Sequence, residues 1–214
     1  MGPRERLIEA GLRLLEEAGP EALQARKLAA EIGMSTMAVY THFGGMAGLF
    51  EALVREAFDQ LAARERDVPR TDDPVADLLA LGLAYRDYAL ANPQRYRLMF
   101  GVTAPGVGTS LLPDGGPVGA ESDDSFAQIV EAVRRSMDAG RIRRDEPVAV
   151  AAQVWSLVHG YVLLEIAGVF GRAEEGFGTV LAPLTVNVLV GLGDDRTAVE
   201  RSAVSVVQGP LGGC

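Results

Sequence analysis

The stretch QARKLAAEIGMSTMAVYTHFGGMAGLF, Gln24 to Phe50, has the residue spacing of a helix-turn-helix. Leu28, Ala29 and Ile32 stand at i, i+1 and i+4, so they share one face of a short helix predicted over Ala25 to Ile32. Gly33 stops that helix, because glycine accepts the left-handed conformation at a C′ position, and Met34 then drops into the core beneath the turn. Ser35 restarts the chain as N-cap of a second short helix, Thr36 to about Thr41, whose inward positions are Val39 and Phe43. Ala29 lies where the two helices cross, and a side chain larger than methyl would push apart helices meeting at about 90–120°. The outward face is then Thr36, Met37, Ala38, Tyr40, Thr41 and His42. These are small or hydrogen-bonding groups suited to a helix in the DNA major groove.

Helical patterning continues outward from this motif. A fourth helix is predicted from about Gly45 to Arg66, with Leu49, Phe50, Leu53, Val54, Ala57, Phe58 and Leu61 at helical spacing, and Val68-Pro69 ends it. Asp73-Pro74 is an N-cap followed by proline at N1, opening a helix to about Asn92; Pro93 begins a short one through Phe100. The stretch from Gly101 to Ser122, rich in glycine and proline, reads as a loop. Helices are predicted at about Asp123 to Ala139, from Pro147 to about Phe170 behind Asp145-Glu146, and from about Gly176 to Leu192. Residues after Gly193 carry turn-formers and mixed charge and read as a disordered tail. No strand-like alternation or internal repeat occurs, so the fold class expected is all-α. Residues 1–48 form a three-helix head, 49–192 a helical body for ligand binding and dimerisation, and 193–214 the tail.

Composition agrees with that organisation. Apolar residues make up 48% of the 214, enough for a helical core, and neither a signal-peptide core nor a run of 18 uninterrupted apolar residues occurs. The single cysteine, Cys214, forms no internal disulfide. The expected location is the cytoplasm, with no membrane partner. The net charge of −9 resides almost wholly beyond residue 50, so the head is near neutral and the acidic body discourages non-specific DNA contact. Within the head, Arg4, Arg6, Arg26 and Lys27 are expected to face phosphates, with Glu16, Glu17 and Glu31 turned away.

From Arg4 to Leu53 the chain resembles the TetR family of one-component transcriptional repressors. The resemblance is carried by a first helix with Leu7, Ile8, Leu12 and Leu15 ending at Gly19-Pro20, by RKLAAEIGMS, by AVYTHFGG and by the start of the fourth helix. Trp155, His159 and Gly160 match the Trp-x-x-x-His-Gly signature of one subset of the family's C-terminal domains, as does YALANPQRYRLMF at Tyr88 to Phe100. The resemblance implies a homodimer on a palindromic double-stranded operator, formed through the last two long helices. Both, Val148 to Phe170 and Val180 to Leu192, are apolar around more than one face and should be covered by a partner. It also implies a small-molecule effector held inside helices four to eight. Tyr85, Tyr88, Tyr96, Met99, Phe100, Phe126, Trp155, His159 and Tyr161 are the candidate ligand contacts there.

The candidate DNA contacts are Arg26, Lys27, Ser35, Thr36, Met37, Ala38, Tyr40, Thr41, His42 and Gly45. Tyr40 and His42 sit where family members contact phosphate. Arg26 matches a position that reaches guanine O6 and N7, with a solvated arginine as the alternative, and the Gly44-Gly45 start of helix four offers free N–H groups to a phosphate. Gln24 in place of a Ser or Thr cap and Met46 in place of a phosphate-binding Lys depart from the family pattern.

An enzyme is not expected. His42 and His159 are the only histidines, the sole cysteine is terminal, and no HExxH, GxSxG, Walker or GxGxxG pattern occurs, so no cofactor, catalytic residue or metal site is assigned. The competing reading is a helical ligand-binding or protein-interaction module without sequence-specific DNA recognition.

Overall fold

A computed structural model describes residues 2–101, 124–171 and 173–208, and every described element is helical. In chain order these are α1 (Pro3–Ala18), a 3-10 turn (Pro20–Ala22), α2 (Ala25–Glu31), α3 (Met37–Phe43), α4 (Met46–Arg66), α5 (Pro74–Ala91), α6 (Pro93–Met99) and α7 (Asp124–Asp138). Then come α8 (Pro147–Ile166), α9 (Ala173–Gly176), a π-helical segment (Phe177–Leu181), α10 (Ala182–Gly191) and α11 (Arg196–Gln208). From residue 102 the stretch read as a loop lies outside the described residues, as does the end of the chain from residue 209.

The described chain forms two compact units. One takes residues 2–60 with 91–101, the other 61–90 with 124–208. The head unit extends past residue 48 and takes back a later segment. Leu98 of α6 explains why: it is fully buried in one cluster with Leu7, Leu15, Leu28, Val39, Leu49 and Leu53. Glu16 of α1 fixes α6 as well. Its carboxylate accepts the N–H groups of Gln94 (3.1 Å) and Arg95 (3.2 Å), placing an anion at the positive end of that helix. Glu16 thus turns inward to α6.

The corner between α2 and α3 closes through the backbone. Gly33 has φ +68°, its N–H reaches the Ala30 carbonyl (3.2 Å), and the Met34 N–H reaches that of Ala29 (2.8 Å). These two bonds are the Schellman arrangement, and they satisfy carbonyls the end of α2 would otherwise leave bare. The Arg6 guanidinium takes the next one, donating to the Ile32 carbonyl at 2.8 Å. Ala29 is buried at the crossing, as the motif requires. Ser35 differs from expectation. It is exposed and makes no cap bond; α3 begins at Met37, where Ala38 and Val39 N–H groups bond the Ser35 and Thr36 carbonyls at 3.0 and 3.2 Å. A tight backbone turn has taken over the role assigned to the hydroxyl.

The second unit is built on α5, α7, α8, α10 and α11, with Val75, Val133, Val150, Ala151 and Val199 wholly buried. Asp73 caps α5 as expected, its Oδ1 accepting the Val75 and Ala76 N–H groups at 3.1 Å each. By length and composition α8 is apolar enough to cross a bilayer, yet Val150, Ala151, Val158, Tyr161 and Val162 are buried in the protein. It ends at Ile166, earlier than expected, because Gly168 turns the chain at φ +77° and Val169 N–H bonds the Leu164 carbonyl.

The tail reading is overturned for residues 196–208. These form α11, started by Asp195, whose Oδ1 accepts the Ala198 N–H at 3.0 Å. Val199 and Ser202 are buried, and Ser202 Oγ donates to Asp73 Oδ2 at 2.6 Å. Arg141 completes the anchor. It reaches Asp73 Oδ1 (2.8 Å), Asp194 Oδ1 (3.0 Å) and Ser202 Oγ (3.1 Å), and the two carboxylates hold its guanidinium charge more firmly than water does. Burial of Val199 and satisfaction of that charged group order a helix whose composition alone is mostly polar.

Gly48 permits the join between α3 and α4, since a Cβ there would lie against the Phe43 carbonyl oxygen well inside contact distance. Backbone cannot move aside as a flexible side-chain tip does. Gly48→Ala should therefore cost about 2 kcal/mol of stability in the head unit, measured by urea unfolding followed by circular dichroism. A change below about 0.5 kcal/mol, the ordinary scatter of surface substitutions, would show that the approach is not close in solution.

Candidate nucleic-acid interface and cavity

α3 turns its large side chains to solvent: Met37 is 65% and Tyr40 56% exposed. Thr36 and Thr41 on the same helix, Ser35 before it, and Arg26 and Lys27 on α2 are exposed as well. These seven expected contacts therefore share an accessible surface. Ala38 does not join them. At 7% exposure it is part of the head core beside Val39, because successive positions are about 100° apart and both fall on the broad inward face of α3. His42 is half-buried with its ring edge-on to Phe43, centroids 6.4 Å apart, so only part of the imidazole is accessible. Gly44 (φ +71°) donates to the Tyr40 carbonyl at 2.9 Å, and Gly45 lies beside the Tyr40 ring at the opening of α4.

The basic residues expected to face phosphates divide. Arg6 is bonded to Ile32, and Arg4 lies over the Phe43 ring at 5.3 Å. Arg13 pairs with Glu31 at 2.7 Å, which neutralises the carboxylate of the α2 end. A face with two exposed cations, hydroxyls and one large aromatic suits contact with phosphates and base edges, and holds no constellation for bond-breaking chemistry.

The second unit has a partly open cavity of about 330 Å³ between α5, α8, α10 and α11, with Val204 and Val207 of its wall 52% and 48% exposed. Of the nine candidate ligand contacts it is lined by Tyr85 and Trp155. Phe126 and His159 pack around Trp155, the former edge-on at 6.3 Å and the latter stacked at 5.0 Å, and Tyr85 OH meets His159 Nδ1 at 2.9 Å. Tyr96, Met99 and Phe100 belong instead to the head unit, where Tyr96 and Met99 are buried and Phe100 lies edge-on to Phe58. Tyr88 is buried and outside the lining. Tyr161 stacks on Phe170 and donates to Glu165 at 3.2 Å, beside a paired Arg86–Glu165 bridge of 2.6 and 2.8 Å. Burial and that carboxylate push its hydroxyl up to about 12.

Aromatic and sulfur side chains drew the sequence reading, whereas the wall is chiefly Leu and Val, including Val204 and Val207 from α11. A signal for that wall was present. Val199, Ser202, Ala203 and Val206 recur at i, i+3, i+4 and i+7, and Gly82 interrupts an otherwise apolar helix.

Burial of His159 holds its pKa down to about 4, below the usual imidazole value of 6.5, so the ring is neutral at pH 7. The folded state then binds fewer protons than the unfolded one between those values. Its contribution is complete above pH 6.5 and is lost as pH falls towards 4. His159→Gln, which keeps a hydrogen-bonding side chain, should flatten the fall of Tm over this window relative to the unaltered protein. Equal slopes in the two proteins would remove His159 as a source of acid sensitivity.

Comparison with known proteins agrees with this geometry. The chain is similar to the HTH-type transcriptional regulator Rv1816 of Mycobacterium tuberculosis, 29% identical over 190 residues spanning 78% of this chain and 81% of the relative. It is similar to the HTH-type transcriptional repressor AcnR of Corynebacterium glutamicum, 29% identical over 181 residues, 82% of this chain and 84% of AcnR. Among solved structures, a protein of unknown function from Rhodococcus sp. RHA1 matches with a TM-score of 0.73 and 26% identity, covering 91% of this chain and 97% of its own. Residues 7–53 match the model for bacterial regulatory proteins of the tetR family, and residues 78–184 that for the tetracyclin repressor-like C-terminal domain. The second match alone spans half of the chain, and the chain belongs to the TetR family of helix-turn-helix transcriptional regulators, which are not enzymes.

Proposed function

We propose that this regulator is a repressor that binds a palindromic operator as a homodimer, acts in the cytoplasm and is released by a small molecule. The observation that carries the reading is the exposure of Met37 and Tyr40 together on α3, since large side chains held in solvent on a rigid helix are paid for by a surface they later meet. Met37 is suited to a thymine methyl, Thr36 and Arg26 to base edges, and Tyr40, His42, Ser35, Thr41, Lys27 and the Gly45 N–H to phosphate oxygens. Ala38, being buried, supports this face from behind.

Dimerisation is supported by α8 and α10. Ala149, Gln153, Ser156, Leu164 and Ala167 lie exposed along one side of α8, and Pro183, Leu184 and Asn187 along α10. Gly160 stands on the same side, and nothing in its own chain lies within 4 Å of where its side chain would begin. The chain's own packing therefore does not ask for glycine there, whereas a partner helix would. This favours placing the protein in the Trp-x-x-x-His-Gly subset, with Trp155 and His159 facing the cavity side and Gly160 the partner. Operator release then follows if an effector favours a body conformation with the wrong spacing of the two heads; α4, which contributes residues to both units, is the proposed transmitter. A differential binding energy of about 3 kcal/mol lowers operator affinity more than a hundredfold.

Selection from a random duplex pool at about 150 mM salt should enrich a palindrome. No enrichment by a verified dimer would favour the interaction-module reading or a regulator that needs a corepressor. Replacing Tyr40→Phe and His42→Ala together should weaken the selected operator at least about tenfold, the scale of one or two charge-assisted bonds, without changing the oligomeric state. Unchanged affinity would contradict the assignment of α3. Gly160→Trp should leave helicity and monomer packing intact while shifting the sedimentation coefficient from dimer to monomer; a dimer of normal strength would move the interface away from this side of α8.

A further inference from the structure

We propose that the cavity walled by α5, α8, α10 and α11 is the effector site and that it takes an uncharged, apolar molecule, for which Gly82 leaves the room. The inference rests on the reading of this chain as an effector-controlled regulator and names the chemistry of its ligand.

The wall decides the charge. Among the described residues that line the cavity none is ionisable near neutral pH, and the hydrogen-bonding groups present are Tyr85, Trp155, Thr185 and Gln208. Two of these are already engaged: Thr185 Oγ1 donates to the Leu181 carbonyl at 2.8 Å, and Tyr85 OH is paired with His159. Arg86 lies behind Phe177, whose ring it faces at 5.2 Å, and its guanidinium is held by both oxygens of Glu165. An anionic or cationic ligand would lose its hydration and find no counter-charge, a cost that an apolar molecule does not meet. The volume of about 330 Å³ falls within the range of small-molecule sites.

Gly82 gives the second, independent reason. It sits in the interior of an 18-residue helix, where glycine is a poor helix former, and its φ is not positive, so no turn demands it. Nor does close packing. The nearest atom to a Cβ built there is Val158 Cγ2 at 3.7 Å, an ordinary contact. What a larger residue would occupy is the cavity itself, since Gly82 is part of its lining. The helix gives up stability at the position where a side chain would fill the site.

Trp155, the only tryptophan of the chain, lines the cavity and reports its contents. The test is titration of the full chain, without DNA, with decan-1-ol, decanoate and decylammonium at about pH 8, where both ionisable probes carry charge. Decan-1-ol should change Trp155 fluorescence saturably and bind at least about tenfold more tightly than either charged analogue. Gly82→Ala should raise Tm and weaken decan-1-ol several-fold, and Gly82→Leu should keep the fold and abolish binding. Equal affinity for a charged probe, no binding of decan-1-ol, or normal binding by a folded Gly82→Leu would each overturn the inference. So would decan-1-ol binding gained only when the chain is ended after Gln208, which would make the chain's own terminus the occupant. Adding the operator afterwards separates the two readings: decan-1-ol that binds without releasing DNA sustains the ligand class and contradicts effector control.

Discussion

Every helix end leaves backbone groups without partners, and at several ends in this protein side chains distant in the chain supply them. Glu16 of α1 holds the opening N–H groups of α6, Arg6 of α1 takes the last free carbonyl of α2, and Arg143 donates to the Gly191 carbonyl at the close of α10 at 2.6 Å. Asp73 serves both ends of a larger problem, capping α5 while accepting the Ser202 hydroxyl that fixes α11. Among the described elements, all of them helical, these charged caps tie particular helices together. Apolar burial then supplies most of the free energy once the order is imposed. A capping side chain lost in one helix is thereby felt in another far away in the chain.

The local half of this logic is legible in the sequence. Gly33 followed by Met34 announces a Schellman corner, Asp73-Pro74 announces a helix start, and the spacing of Leu28, Ala29 and Val39 announces two crossed helices. Those features act over a few residues, so the chain states them openly. Ala38 goes to the core because it neighbours Val39, about 100° away on the same inward face, and Ser35 makes no cap because backbone bonds to its own and the Thr36 carbonyl begin the helix. α11 was missed for a different reason. Its order depends on Arg141, Asp194 and Asp73, whose meeting is a property of the folded chain, and the helical spacing of its few apolar residues is diluted by charged and hydroxyl neighbours. The aromatic cluster assigned to one pocket was divided between two units by the return of α6 to the head, which nothing in local periodicity records.

The body combines two kinds of interior. Arg86, Glu165 and Tyr161 form a buried polar group whose members all have partners, which makes it rigid and specific in geometry. Beside it the cavity wall is chiefly aliphatic, and two of its four hydrogen-bonding side chains, Tyr85 and Thr185, are bonded within the protein. Rigid polar contacts on one side and adaptable apolar contacts on the other allow a helix bundle to have two nearby packings without unfolding. The π-helical segment at Phe177–Leu181 lies where these two interiors meet, Phe177 lining the cavity on one side and facing Arg86 on the other.

The internal use of arginine in the head has a consequence for how the regulator responds to the medium. A cation paired with a carboxylate of its own chain brings little net charge to DNA, whereas one bonded to a neutral carbonyl keeps its charge. Arg13 is committed in this way to Glu31, so each head would release about one counterion fewer than a count of its cations suggests, and the slope of log affinity against log salt would be shallower by about 1 per head. Osmotic stress that concentrates salt in the cell would then change operator occupancy less than it does for a head whose arginines all lie on phosphate.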